Sequence, residues 1–125
     1  MNCNQGDVVL LHFPYTDLSS SKQRPALVLS SDSFNLGSRD VVCCLITTNP
    51  ESDSFTVRIT VDDVESGSLH FDSMVRPYRL FTADQKVVVK KLCRLKIEKF
   101  NKVIQKLTEL FPRKQKEVTT SRKIT

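Results

Sequence analysis

The sequence predicts a mainly β fold (α+β), a small, strongly bent SH3-like β-barrel closed by one C-terminal α-helix. Two patterns carry that expectation. From Asp7 to Val89 the apolar residues come in short strand-like runs separated by Gly, Pro, Asn and Ser clusters, and from Ile97 onward their spacing changes to three and four. Length supplies the third observation, because 125 residues of which 39% are hydrophobic can build one modest core but not two. The expected organisation is one domain over residues 1–111 and a basic tail over 112–125.

Asp7 to Tyr15 reads DVVLLHFPY, with Val9, Leu11 and Phe13 on one face of a strand and Val8, Leu10 and His12 on the other. The polar stretch from Thr16 to Gln23 has no period and reads as a long loop, a length that in compact domains often marks a binding or catalytic segment, although a Ser-rich loop with one Lys and one Arg is by itself more often a solvated connection. Arg24-Pro25 leads into Ala26-Leu27-Val28-Leu29-Ser30, where Pro25 suits the first position of a strand because no ladder donor is needed there. Ser31 to Asp40 reads as a second connection. Val41 to Thr48 is continuously apolar before its terminal hydroxyls, as expected of a central strand buried on both faces. After Asn49-Pro50, the alternation from Phe55 to Val61 puts Phe55, Val57, Ile59 and Val61 inward. Ser73–Arg76, Leu80–Thr82 and Val87–Val89 read as further short strands. Ile97, Phe100, Val103, Ile104, Leu107 and Leu110 then form the apolar stripe of an amphipathic helix, which Phe111-Pro112 ends.

The net charge of +5 is unevenly placed. Arg113, Lys114, Lys116, Arg122 and Lys123 lie in the tail against Glu117, which leaves 14 basic and 13 acidic residues in the body. Global charge therefore does not itself indicate a nucleic-acid partner. Local segregation is more informative: Glu51 to Asp72 is acidic and Arg76 to Lys91 mostly basic, so separate surfaces are expected to attract and repel phosphate. No apolar run approaches the roughly 20 residues needed to cross a bilayer, and the polar start of the chain lacks the character of an export signal. The four cysteines, Cys3, Cys43, Cys44 and Cys93, form neither a CxxC pair nor a Cys/His zinc set. The expectation is a cytoplasmic protein with reduced thiols, no metal and no cofactor, in which Cys43 and Cys44 point to opposite faces of their strand.

Gly6-Asp7-Val8-Val9-Leu10, Phe13-Pro14, Arg24-Pro25-Ala26-Leu27-Val28-Leu29-Ser30, Leu45-Ile46-Thr47-Thr48-Asn49, and Asp72 to Arg76 continuing to Leu80-Phe81-Thr82-Ala83-Asp84 occur in that order. Together they resemble the PemK/MazF family, a similarity that runs through the closing helix to about Phe111. The resemblance implies the toxin of a type II toxin-antitoxin pair: a homodimeric endoribonuclease that cuts single-stranded RNA at short motifs, is silenced by a cognate antitoxin, and binds DNA together with it. Arg24 and Thr47 occupy the positions of the family's catalytic arginine and its assisting hydroxyl. Arg76 occupies that of a further arginine used by some members. Those members place an aspartate two residues on, where this chain has Tyr78, and a histidine in the first loop, where this chain has none.

The implied chemistry suits these residue types. Cleavage without a metal uses the neighbouring 2′-hydroxyl as nucleophile and needs stabilisation of a pentacoordinate phosphorane. A guanidinium offers a planar fork to two phosphoryl oxygens and keeps its charge at any working pH. Arg24 is therefore expected to stabilise charge rather than act as a base, with Thr47 orienting the phosphate. From residue type alone, Arg24 reads as an exposed loop charge and Thr47 as an ordinary strand residue; the resemblance singles them out. His12, Tyr15, Lys22, Thr48, Asn49, Ser73, Arg76 and Tyr78 are the expected substrate-binding residues, His12 as a base titrating near neutrality or as a structural strand residue, and Tyr15 and Tyr78 as stacking platforms. A non-catalytic binding protein and a gyrase-inhibiting toxin on the same fold are the alternatives.

Overall fold

The apolar run Val8-Val9-Leu10-Leu11 sets the first of seven strands in the computed structural model, which describes residues 2–13 and 22–115. In chain order the elements are β1 (Asp7–His12), β2 (Gln23–Val28), α1 (Asp32–Gly37), β3 (Asp40–Thr47), β4 (Val57–Ile59), β5 (Val64–Gly67), β6 (Ser73–Asp84), β7 (Val88–Leu95) and α2 (Ile97–Thr108), with single 3₁₀ turns at Val61–Asp63 and Gln85–Val87. The strands form one curled antiparallel sheet in the order β4-β6-β3-β2-β1-β7-β5. The fold is thus mostly β with a C-terminal helix, as the sequence predicts.

Alternation distributes the central strands between two cores. Val8, Leu27, Cys44 and Ile46 join the core covered by Phe100 and Val103 of α2. Val9, Leu11, Ala26, Val28 and Cys43 lie on the other face, where Phe13 packs against them. Cys43 and Cys44 therefore do face opposite ways, and β3 is buried on both faces over its middle. Burial of Phe100 and Val103 contributes roughly 1.5–3 kcal/mol each and fixes α2 to the sheet. Ile97, at the start of the apolar stripe, remains 59% exposed.

The Gly6-Asp7 pair is structural. Gly6 has φ +92°; its N–H donates to Val28 and its carbonyl accepts from Leu95, so it ties β1 to both neighbours. Buried Asp7 accepts from the Asn4 N–H at 2.9 Å and pairs with Lys91 at 3.1 Å.

Four local expectations change. The segment after Ser30 contains α1, too short to display a helical period, capped by Ser31 and anchored by buried Asn35, whose amide donates to the carbonyls of Cys3 and Ser30. The strand expected from Phe55 to Val61 shrinks to Val57–Ile59, because Asp53 accepts from the Phe55 and Thr56 N–H groups at its start, and Thr60 and Asp63 form a capping box that turns the chain at its end and leaves Val61 65% exposed. The separate strands around Arg76 and Leu80 are one strand, β6, interrupted by a bulge: Leu45 faces Arg76 while Cys44 faces Leu80. Pro77, which has no N–H for a ladder, is buried within that bulge. Finally, Pro25 is the third residue of β2 rather than the first; the ladder to β3 begins only at Ala26.

Among the described residues, no helix is long and apolar enough to cross a membrane.

Candidate functional site

Among the described residues, three pieces of chain converge where β2 begins and β3 ends beside the β6 bulge. They line an open cleft of about 620 Å³, whose walls include Arg24, Thr47, Asn49, Glu51, Asp53, Arg76, Tyr78 and Arg79. The ladder between β2 and β3 sets Ala26 opposite Leu45. Continued two residues towards the strand ends, that register brings Arg24 across from Thr47, and both open into the cleft.

Arg24 is exposed and makes no hydrogen bond or ion pair with the other described residues. Its charge is uncommitted. The Thr47 hydroxyl accepts from the Asn49 N–H at 3.1 Å, which orients its oxygen and leaves the hydroxyl proton available to donate.

Arg76 is placed differently. One terminal nitrogen donates to the Tyr78 hydroxyl at 3.1 Å and to Thr56 Oγ1 at 3.5 Å; the other donates to the Glu51 carbonyl at 2.9 Å and the Asn49 carbonyl at 3.5 Å. Tyr78 in turn donates to the Asp53 carboxylate at 2.9 Å. Asp53 also accepts from the Phe55 N–H and the Thr56 hydroxyl, each at 2.9 Å. The Phe55 backbone N–H, then the Tyr78 and Thr56 donors, hold the Asp53 carboxyl below the usual carboxylate range. A charged carboxylate thus sits one hydroxyl away from Arg76, although none follows Arg76 in sequence.

The remaining expected residues divide clearly. Asn49 lines the cleft, its side-chain oxygen accepting from the Glu51 N–H at 3.0 Å. Thr48 and Lys22 are exposed outside its lining, and His12, half-buried and opposite Gln23, also lies outside it. Ser73 is buried, its hydroxyl donating to the Phe71 carbonyl at 2.9 Å. Tyr15 lies outside the described residues. Phe13 packs edge-on against Phe81 with ring centroids 5.2 Å apart, in keeping with a core role.

The sequence reading missed Glu51, Asp53 and Arg79. Asp53 follows Pro50 in a polar stretch, where the signal of an Asx turn was present but its reach to Tyr78 was not. The missed acids also correct the charge reading. Acidic and basic segments do not occupy separate surfaces, since Glu51 and Asp53 stand in the cleft with Arg24, Arg76 and Arg79. Among the described residues, no three His, Cys, Asp or Glu side chains cluster as a metal site.

Residues 4–111 match the family described as PemK-like, MazF-like toxin of type II toxin-antitoxin system. No curated protein matches the chain significantly. Solved structures with the same fold include MazE-MazF (Form-III) from Deinococcus radiodurans, at TM-score 0.74 and 22% identity over 88% of this chain and 96% of that one. An endoribonuclease in complex with its cognate antitoxin from Mycobacterial species aligns at TM-score 0.70 and 20% identity, covering 86% and 92%. The Mycobacterium tuberculosis toxin MazF-mt6 aligns at TM-score 0.67 and 16% identity, covering 82% and 93%.

Proposed function

Because the chain belongs to the PemK-like, MazF-like toxin family of type II toxin-antitoxin systems, we propose that it is a sequence-specific endoribonuclease acting on single-stranded RNA, mRNA in particular, in the cytoplasm. The observation that carries this reading is the pairing of an uncommitted guanidinium, Arg24, with an oriented hydroxyl, Thr47, at one open cleft.

In the proposed reaction the 2′-oxygen next to the scissile bond attacks phosphorus and loses its proton, while the 5′-oxygen departs and gains one. The products are a 2′,3′-cyclic phosphate and a 5′-hydroxyl. The nucleophile comes from the substrate, so this chemistry requires no metal. Arg24 stabilises the negative charge that builds on the phosphoryl oxygens, a contribution that usually dominates such reactions. Thr47 donates its hydroxyl proton to one of those oxygens and fixes the phosphate's orientation. Asn49 and Tyr78 present polar and aromatic surface for bases along the same cleft.

We further propose that the active species is a homodimer and that its cognate antitoxin lays an acidic, partly disordered segment over the Arg24 surface. In this reading the antitoxin's carboxylates take the place of the RNA phosphates.

Incubation of the purified protein with RNA in EDTA tests the proposal. Discrete fragments with 5′-hydroxyl ends are expected, and Arg24→Ala should abolish them while the melting temperature stays unchanged. Dependence on added metal would reject the mechanism. Intact RNA together with inhibited DNA supercoiling would select a gyrase-directed toxin instead.

A further inference from the structure

Among the described residues, three arginines reach the cleft, and their surroundings are unequal. Resting on the RNA-cleavage reading, we propose that Arg24 and Arg79 take the substrate's phosphates, whereas Arg76 is a positioning residue that latches the loop from Asn49 to Thr56 into one wall of the cleft.

The hydrogen bonds of Arg76 support the latch. Both of its terminal nitrogens are engaged by Asn49, Glu51, Thr56 and Tyr78. A phosphate arriving there would have to displace loop carbonyls and would meet the carboxylates of Glu51 and Asp53. Like charges lining the same wall oppose binding. What Arg76 does instead is join three residues of one loop, Asn49, Glu51 and Thr56, to β6. The Tyr78 hydroxyl extends the joint to Asp53, accepting from Arg76 at 3.1 Å and donating to the carboxylate at 2.9 Å.

Arg79 is the opposite case. The β6 bulge between the positions facing Leu45 and Cys44 buries Pro77 and turns the following residues towards the cleft. Arg79 is exposed there and forms no hydrogen bond or ion pair with the described residues. Its guanidinium lies 6.0 Å from the Tyr78 ring centroid, which restrains the side chain without occupying its N–H groups. Arg24 and Arg79 are thus two free planar forks on one cleft, with the Thr47 hydroxyl in the same lining. Two cations of this kind suit successive phosphates of a single strand.

The test measures binding of a random-sequence, 2′-O-methyl single-stranded RNA pool against salt concentration, together with hydrogen exchange of the amides of residues 51–56. Arg79→Gln should weaken binding roughly tenfold and reduce the salt slope by about 0.7, the loss of one phosphate contact, with exchange unchanged. Arg76→Gln should accelerate exchange in the loop at least tenfold and leave the salt slope intact. Arg76→Lys, which keeps the charge without the planar fork, should accelerate exchange as Arg76→Gln does. Tyr78→Phe, a milder change, should accelerate it to a lesser degree.

A reduced salt slope in Arg76→Gln with unchanged exchange would overturn the division, as would an unaffected Arg79→Gln. If wild-type protein binds the pool but leaves unmodified RNA uncut, the cleavage reading falls while the division of roles stands. If it binds no RNA, the Arg79 assignment falls as well.

Discussion

The Tyr78 hydroxyl donates to the Asp53 carboxylate at 2.9 Å across 25 residues of sequence. That bond places a carboxylate beside Arg76 where the neighbouring sequence offers none, and it closes the loop between β3 and β4 against β6. Removing the hydroxyl with Tyr78→Phe should lower the cleavage rate roughly tenfold through misplacement of the cleft wall, an effect of positioning. Steady-state kinetics on a defined RNA would measure it, and an unaltered rate would separate the loop from the chemistry.

The protonation of Asp53 sets the acid limit of this arrangement. Its carboxyl is held below the ordinary range chiefly by the Phe55 N–H and then by Tyr78. The folded protein therefore favours the charged form. The resulting stabilisation is complete above the unfolded value of about 3.9 and disappears as pH falls through the lower folded value. We expect loop exchange, followed by mass spectrometry, to be independent of this group from about pH 5 upward and to accelerate only in stronger acid.

Thr47 discriminates between a hydroxyl that acts and a residue that merely fits a strand. Thr47→Ser should retain most activity, because it keeps the donor and the acceptor for Asn49. Thr47→Val keeps the shape without either and should lose on the order of 10²-fold in kcat. Equal activity of the two variants would remove the hydroxyl from the mechanism.

Two glycines should respond differently to alanine. At Gly67, φ is +80° and an added Cβ would lie 2.5 Å from the Leu92 carbonyl oxygen and 2.7 Å from Cys93 Cα, so β5 must part from β7. Gly67→Ala should cost on the order of 3 kcal/mol. Gly6 has φ +92° but its nearest neighbour, Phe100, would be 3.9 Å away, leaving only the backbone cost of about 1–2 kcal/mol. Urea titrations would rank them, and a more damaging Gly6→Ala would contradict the packing argument.

Burial should also keep the four thiols inert. Desolvation pushes Cys43 up to about 12 and Cys93 to about 11, raises Cys3, and raises Cys44 further still. Folding thus favours the protonated thiols. That contribution is complete below the unfolded value near 8.5 and is lost as pH rises through the folded values, so stability should decline in the alkaline range. At pH 8 the native protein should react with Ellman's reagent far more slowly than the same protein in guanidinium chloride.

The fold was legible because its signals are local. Val8 and Val9 read as opposite faces of one strand and enter different cores; Cys43 and Cys44 do the same. Phe100 and Val103 announce the buried side of α2 by their spacing. Where a local hydrogen bond competes with periodicity, the reading failed: the Thr60–Asp63 capping box cut short the strand that Phe55 to Val61 suggested. Short α1 escaped for a related reason, since six residues show too little period and its anchor is the nonlocal network around Asn35.

The cleft was only half readable. The family resemblance of the ordered motifs marked Arg24 and Thr47, whereas the apolar pattern marked the strands that carry them and the face each strand buries, because side-chain alternation is a property of the backbone itself. Tertiary structure decided that Glu51 and Asp53 would enter an arginine-lined cleft, that Arg76 would be tied while Arg24 and Arg79 stay open, and that Tyr78 would meet a carboxylate. Those outcomes depend on a three-residue offset at the β6 bulge and on how a loop folds back over it. Such contacts follow from strand register and chain reversal over long separations, which no stretch of neighbouring residues encodes.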